Sequence, residues 1–210
     1  MKILYQEESQ RAKSATALVA VFVVLLLCAI GYTTYQNIIH NTFLLSEYFV
    51  EVVALIVIVK QAVGRYTYIL TEDKLVIEEK SLFRKRHFEV DYDMIDGVYA
   101  FKQELLSNFK LRYKYRKCST SDARPVWALI YSIVKGTKVQ NARVMLKAED
   151  EFFEKLNEFV SSRVRVPQED IVFYAAVRAD AVKHGEDVKT YYESIMKAAE
   201  EAETVDKEQA

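Results

Sequence analysis

From residue 14 through residue 46 the chain carries no Asp, Glu, Lys or Arg, and a largely apolar stretch continues to residue 63. As one straight helix the uncharged run would be roughly 50 Å long at 1.5 Å per residue, well beyond a hydrocarbon core of about 30 Å. It therefore has to bend. The polar cluster Gln36, Asn37, His40, Asn41 and Thr42 is where it can do so. This predicts a membrane-inserted helical hairpin over 14–63, with a first span near 15–35 and a second near 43–59. Arg11 and Lys13 would suit the n-region of a signal peptide, but no small-x-small cleavage site follows the apolar run, so the segment reads as a retained anchor.

Cations flank the hairpin and avoid its turn. Arg11 and Lys13 precede it, and Lys60 and Arg65 follow. The positive-inside rule then predicts a multi-pass protein of the cell membrane with both termini and the soluble part in the cytoplasm. Glu47 and Glu51 stand four residues apart in the second span and should share one helix face. Ionisable groups at such depth usually face a bundle interior or a cavity. No Lys or Arg inside the hairpin can neutralise them, so they point to oligomerisation, to a partner helix, or to an ion or proton role. Cys28 and Cys118 fall in the span and the soluble part respectively, which leaves no disulfide framework and suits a reducing compartment.

After Gly64 the pattern changes to short alternating segments separated by charged turns, the signature of strands. Tyr66, Tyr68 and Leu70 alternate; Leu75 to Ile77 returns after the turn at 71–74; Phe88 and Val90 mark a third strand. A fourth is expected over 95–101, loosened by Gly97. Phe109, Leu111, Tyr113 and Tyr115 alternate strictly with Lys110, Arg112, Lys114 and Arg116. Residues 126–134 read as a strand buried on both faces, and the turn around Gly136 leads into a last strand over 139–148. Seven strands with short connections predict an antiparallel sheet. An amphipathic helix over 149–162, with Phe152, Leu156, Phe159 and Val160 at helical spacing, should plug it.

The strings Tyr68-Ile69-Leu70-Thr71-Glu72-Asp73-Lys74-Leu75-Val76-Ile77, Arg86 through Val90 and Met94-Ile95-Asp96-Gly97-Val98 resemble the opening of bacterial pleckstrin-homology-like domains that follow two membrane spans. Arg143-Val144-Met145-Leu146 and Glu151-Phe152-Phe153-Glu154-Lys155-Leu156 resemble the family's end, so the likeness covers roughly 15–162. It implies a bent, seven-stranded antiparallel sheet or barrel capped by a helix. Phosphoinositide-binding members of the wider fold carry a basic loop between their first two strands. Here that loop is Thr71-Glu72-Asp73-Lys74, so the resemblance does not extend to inositol-phosphate recognition.

Sites of chemistry are sparse. The five glycines are isolated, the three histidines (40, 87 and 184) lie in three different regions, and neither a nucleophile elbow nor a metal-ligand spacing occurs. The expectation is a non-enzyme with no cofactor and no metal. Charge is the stronger signal. Residues 60–165 carry 21 basic and 15 acidic side chains, net +6, whereas residues 166–210 carry 5 and 11, net −6. Alternation places Lys110, Arg112, Lys114 and Arg116 on one strand face. With Lys117 and with Arg84, Lys85 and Arg86 they form the candidate surface for anionic lipid headgroups or an acidic partner. Nucleic acid is not expected, because the tyrosines alternate onto the opposite, buried face.

Pro167 then breaks the chain. Two amphipathic helices are predicted, over 168–183 and about 187–203, with Gly185 as the cap between them. On the first, Ile171, Tyr174, Ala175, Arg178 and Val182 fall on one side. Ile171, Tyr174, Val188, Tyr192 and Ile195 are the candidate contacts of this tail, either with the preceding domain or with a protein partner or second copy. The organisation expected is an N-terminus (1–13), the hairpin (14–63), the pleckstrin-homology-like domain (64–163) and an acidic helical tail (164–210). The function expected is that of a membrane-anchored adaptor or scaffold. The alternative is an accessory subunit of a transporter or channel that uses Glu47 and Glu51.

Overall fold

A computed structural model describes residues 2–41, 45–81, 84–102, 110–160 and 163–208. Its chain contacts divide into two units, one formed by Met1–Glu89, Lys117–Pro125 and Lys147–Glu149, the other by Val90–Arg116, Val126–Leu146 and Asp150–Ala210. The units interleave along the chain.

The first unit opens with a strand that the alternation pattern misses, β1 (Ile3–Glu8). Helices α1 (Lys13–His40) and α2 (Leu45–Val63) follow. Among the described residues, α1 alone is long and apolar enough by itself to cross a membrane. It ends at Asn41, whose φ of 48° is left-handed and whose N–H bonds back to the Asn37 carbonyl; asparagine is one of the few residues that takes this conformation readily. Helix α1 thus ends within the predicted polar cluster. The expected start of the second span at Phe43 lies outside the described residues. Helix α2 is apolar along Val52–Val59 but carries Glu47, Glu51 and Lys60.

Strands β2 (Arg65–Thr71), β3 (Lys74–Lys80) and β4 (Lys85–Asp91) complete a four-stranded sheet in the order β1-β2-β3-β4. Strand β1 runs antiparallel to β2, with Gln6 opposite Ile69 and Glu8 opposite Thr67. The two helices are therefore an insertion between neighbouring, hydrogen-bonded strands. Ser9 closes its base: its N–H reaches the Tyr66 carbonyl at 2.7 Å and its Oγ accepts the Tyr66 N–H at 3.0 Å. Tyr68, Leu70, Leu75 and Ile77 are fully buried in this sheet.

In the second unit a 3-10 turn (Tyr92–Met94) leads into β5 (Ile95–Ala100), followed by β6 (Tyr113–Arg116), β7 (Trp127–Lys135) and β8 (Lys138–Leu146). Their order is β5-β7-β8-β6. The β7–β8 hairpin turns on Gly136 at φ 60°, as tight hairpins require. All seven expected strands exist, but two expectations are corrected. The strands form two open four-stranded sheets rather than one closed barrel. Strand β6 also pairs with β8 in parallel, not antiparallel. The ten-residue connection carries the chain from β6 to β7, two places away in the sheet, and the β7–β8 hairpin then brings it back beside β6 in the same direction. The expected beginning of the basic strand at Phe109 lies outside the described residues.

Helix α3 (Asp150–Phe159) buries Phe152 and Leu156, as its spacing predicts, and also Phe153, while Phe159 stacks on Tyr92 at 4.6 Å; the expected end at Ser162 lies outside the described residues. Helix α4 (Gln168–His184) is capped by Gly185 at φ 74°, and α5 (Val188–Glu208) follows. The first tail helix belongs to the core of this unit: Ile171 is buried with Tyr99, Ala128 and Ile130. Gly97 is what admits it. A Cβ there would stand 2.8 Å from both the Arg163 carbonyl oxygen and Ile171 Cγ1, so the glycine serves close approach rather than loosening the strand.

Candidate functional site

The cations singled out in the sequence divide into exposed and internal groups. Lys110, Arg112, Lys114 and Arg116 are all exposed. Three of them flank or occupy β6, which stands at the end of the sheet order among the described residues. Arg112 lies over the Tyr113 ring at 5.6 Å, and Tyr113 stacks on Tyr115 at 6.2 Å. Tyr115 is itself 37% exposed, so the tyrosine face is not the buried one expected. The four-residue strand presents a basic and aromatic edge. Arg84, Lys85 and Arg86, in the first unit, are also exposed.

Lys117 is different. It is buried, with Nζ 3.1 Å from Glu79 Oε2 and 5.7 Å from the centroid of the Phe88 ring, so it is committed to the interior rather than to a surface. Arg143 and Lys147, counted among the basic residues of this region, are likewise buried.

Sequence reasoning missed the cluster to which Lys147 belongs. At the base of the hairpin insertion, Arg124 donates from Nε and Nη2 to Asp122 at 3.0 and 2.6 Å, and from Nη1 to Glu7. Glu7 also accepts the Glu149 amide at 3.1 Å, Asp122 accepts the Gln10 amide at 3.2 Å, and Lys147 Nζ donates to the Asp122 carbonyl. Burial works against the Arg124 charge, but the bonds to Asp122 and Glu7 outweigh it and hold its pKa above the ordinary value. Two acids and two bases cancel here, and each has a partner. Tyr68 reinforces the arrangement: its hydroxyl donates to the Lys117 carbonyl at 2.7 Å and accepts the Lys147 amide at 3.3 Å.

A second internal cluster lies in the other unit. Asp96, fully buried, has Oδ1 2.8 Å from Arg178 Nε, and its Oδ2 accepts the Ser132 hydroxyl at 2.6 Å. The Nε–Oδ1 contact is an ion pair set off the line of the N–H rather than a straight hydrogen bond. Arg178 also donates from Nη1 to the Asp93 carbonyl at 2.5 Å. Burial pushes the Asp96 carboxyl up to about 6 even though Arg178, Ser132 and Arg163 all pull it down. Arg178 was the signal available in the sequence: a cation in the middle of an apolar helix stripe requires a buried partner.

The remaining candidates separate as well. Glu51 is half-buried and accepts the Thr33 hydroxyl of α1 at 2.9 Å, and Tyr48 donates to Thr34 at 2.9 Å, so the two helices meet along a polar seam. Glu47 is exposed and outside that seam. Of the tail candidates, Ile171 and Tyr174 are buried within their own unit, with the Arg163 guanidinium 3.8 Å from the Tyr174 ring. Val188, Tyr192 and Ile195 on α5 are half-buried, and Tyr192 packs on Tyr174 at 5.2 Å. Comparison with protein-family models, curated proteins and solved structures finds no match to this chain.

Proposed function

We propose that the protein is a membrane-anchored, non-catalytic adaptor, held by a two-span hairpin with both ends and both sheet-bearing units in the cytoplasm. One observation carries the reading: β1 and β2 are hydrogen-bonded neighbours, yet 56 residues separate Glu8 from Arg65, and nearly all of them are helical hairpin. A chain that leaves a sheet, crosses a bilayer and returns to the adjacent position in that sheet must cross an even number of times. Helix α1 supplies one crossing. In this reading helix α2, 19 residues and so about 28 Å long, has the length for a second, made against α1, whose Thr33 bonds Glu51, rather than alone.

The adaptor part of the reading rests on where the polar groups go. The two clusters of buried charge are internally paired, while the basic edge of β6 faces outward. A strand edge with Arg112, Lys114 and Arg116 suits an anionic leaflet or an acidic protein segment, each cation near such a surface gaining about 1 kcal/mol. The bent pleckstrin-homology-like architecture stays part of this proposal, in the form of two open sheets followed by a helix.

Two measurements test it. In alkaline carbonate the chain should stay with the membrane pellet, and release into the supernatant would contradict the anchor. In proteoliposomes with the soluble part outward, tryptic cleavage at Arg112, Lys114 and Arg116 should be several-fold slower with anionic than with neutral lipid; equal rates would remove the leaflet from the list of partners.

The alternative of a transporter or channel accessory subunit draws on Glu51, whose Oε2 is buried without a hydrogen-bond partner among the described residues. It requires that Glu47→Gln together with Glu51→Gln change transport by the native complex. Unchanged transport would eliminate it.

A further inference from the structure

The geometry points to a binding site for one anionic glycerophospholipid at the foot of α2, an inference that rests on the membrane-anchored reading. Within the first unit, the last turns of α2 together with Glu79, Ser81, Arg84 and Arg86 line a cleft of about 490 Å³. That volume lies in the range of small-molecule sites and suits a phosphate with its glycerol, the acyl chains extending beyond.

Its helix side is Ile56 and Val59, and its rim carries Lys60, Arg84 and Arg86. All three cations are exposed and none has an ion-pair partner among the described residues. Arg86 stands in β4 and Arg84 just before it, and both line the cleft; the Arg84 carbonyl accepts the Ser81 N–H at 2.9 Å. Guanidinium groups match phosphate oxygens in a bidentate manner. Glu79, the one carboxylate in the lining, is 3.1 Å from Lys117 Nζ, and its charge is spent there.

The level in the bilayer agrees. A 19-residue helix covers about one hydrocarbon thickness, which brings Lys60 in its last turn to the depth of the headgroups. Ile56, 59% exposed, continues an apolar track of Val52, Val53 and Val57 up the helix. A free phosphate would use only the cations. A lipid uses the cations and the track together, and this is the occupant the cleft fits.

The test takes the full chain, reconstituted in vesicles of phosphatidylcholine and phosphatidylglycerol, extracted in mild detergent and weighed for co-purifying lipid by mass spectrometry. Wild type should retain phosphatidylglycerol over phosphatidylcholine, and Lys60→Gln with Arg84→Gln and Arg86→Gln should reduce that preference about tenfold or more. Lys135→Gln with Lys138→Gln and Lys155→Gln, which removes equal charge elsewhere, should leave it intact. Equal loss in both variants, or no preference in wild type, would overturn the site. Displacement of the lipid by millimolar inorganic phosphate would show that the apolar wall contributes nothing and would overturn the lipid assignment. A carbonate extraction run in parallel separates the two levels: a chain that stays integral without lipid preference sinks the site alone, while a chain released by carbonate sinks the anchor and the site with it.

Discussion

Asp96 and Arg178 illustrate what single residues contribute. The pair is buried, and removing one partner leaves an uncompensated charge, at a cost of about 3–5 kcal/mol. Arg178→Met should therefore lower the stability of the second unit by that order in chemical unfolding, with partial recovery at acid pH as Asp96 takes up a proton. In wild type the sign runs the other way from most carboxylates. The folded pKa, about 6, is above the ordinary 3.8, so the stabilising contribution of Asp96 is fully present below about pH 4 and is lost as pH rises through about 6. Asp96→Asn should abolish that part of the pH dependence, and a profile between pH 4 and 6 that matches wild type would contradict it. Gly97 allows a simpler test. Its missing side chain is what lets α4 approach β5, and Gly97→Ala should cost about 1–3 kcal/mol through overpacking.

At the scale of elements, the seven strands after Gly64 are legible because apolar residues recur in each at alternate or consecutive positions. Strand β1 is not, for a physical reason. Ile3 and Leu4 are exposed and only Glu7 is buried, so the strand is held by pairing with β2 and by the ion pair to Arg124 rather than by an apolar face. Nothing in its local pattern announces that. The same limit explains Lys117, Arg124, Arg143 and Lys147: a sequence shows a cation but not the partner that draws it inward. It also explains the open sheets and the parallel β6–β8 pair, since closure and strand direction are decided by long-range pairing. The hairpin turn, by contrast, was legible from Asn41 and its polar neighbours, because a run that long must break where polar residues allow. Arg124→Ala should cost about 3–5 kcal/mol, because it strands Glu7 and Asp122, and it should loosen β1, visible as faster hydrogen exchange over Ile3–Glu8. Exchange there at the wild-type rate would mean that backbone pairing alone holds the strand.

At the scale of the whole molecule, the helical hairpin is an excursion from one edge of a sheet and back. The two-span anchor proposed above would differ from a soluble domain hung on a terminal helix: membrane insertion and the pairing of β1 with β2 would become one event, and both ends of the hairpin would lie on one side of the bilayer. Cysteine accessibility reads this directly. In a chain carrying Cys28→Ser and Cys118→Ser, single cysteines at His40→Cys, Arg11→Cys and Arg65→Cys are exposed to a membrane-impermeant maleimide on intact cells. Labelling at position 40 alone, with positions 11 and 65 reacting only after permeabilisation, is the predicted result. Labelling that puts positions 11 and 65 on opposite sides of the membrane, or position 40 on the same side as both, would contradict the two-span anchor.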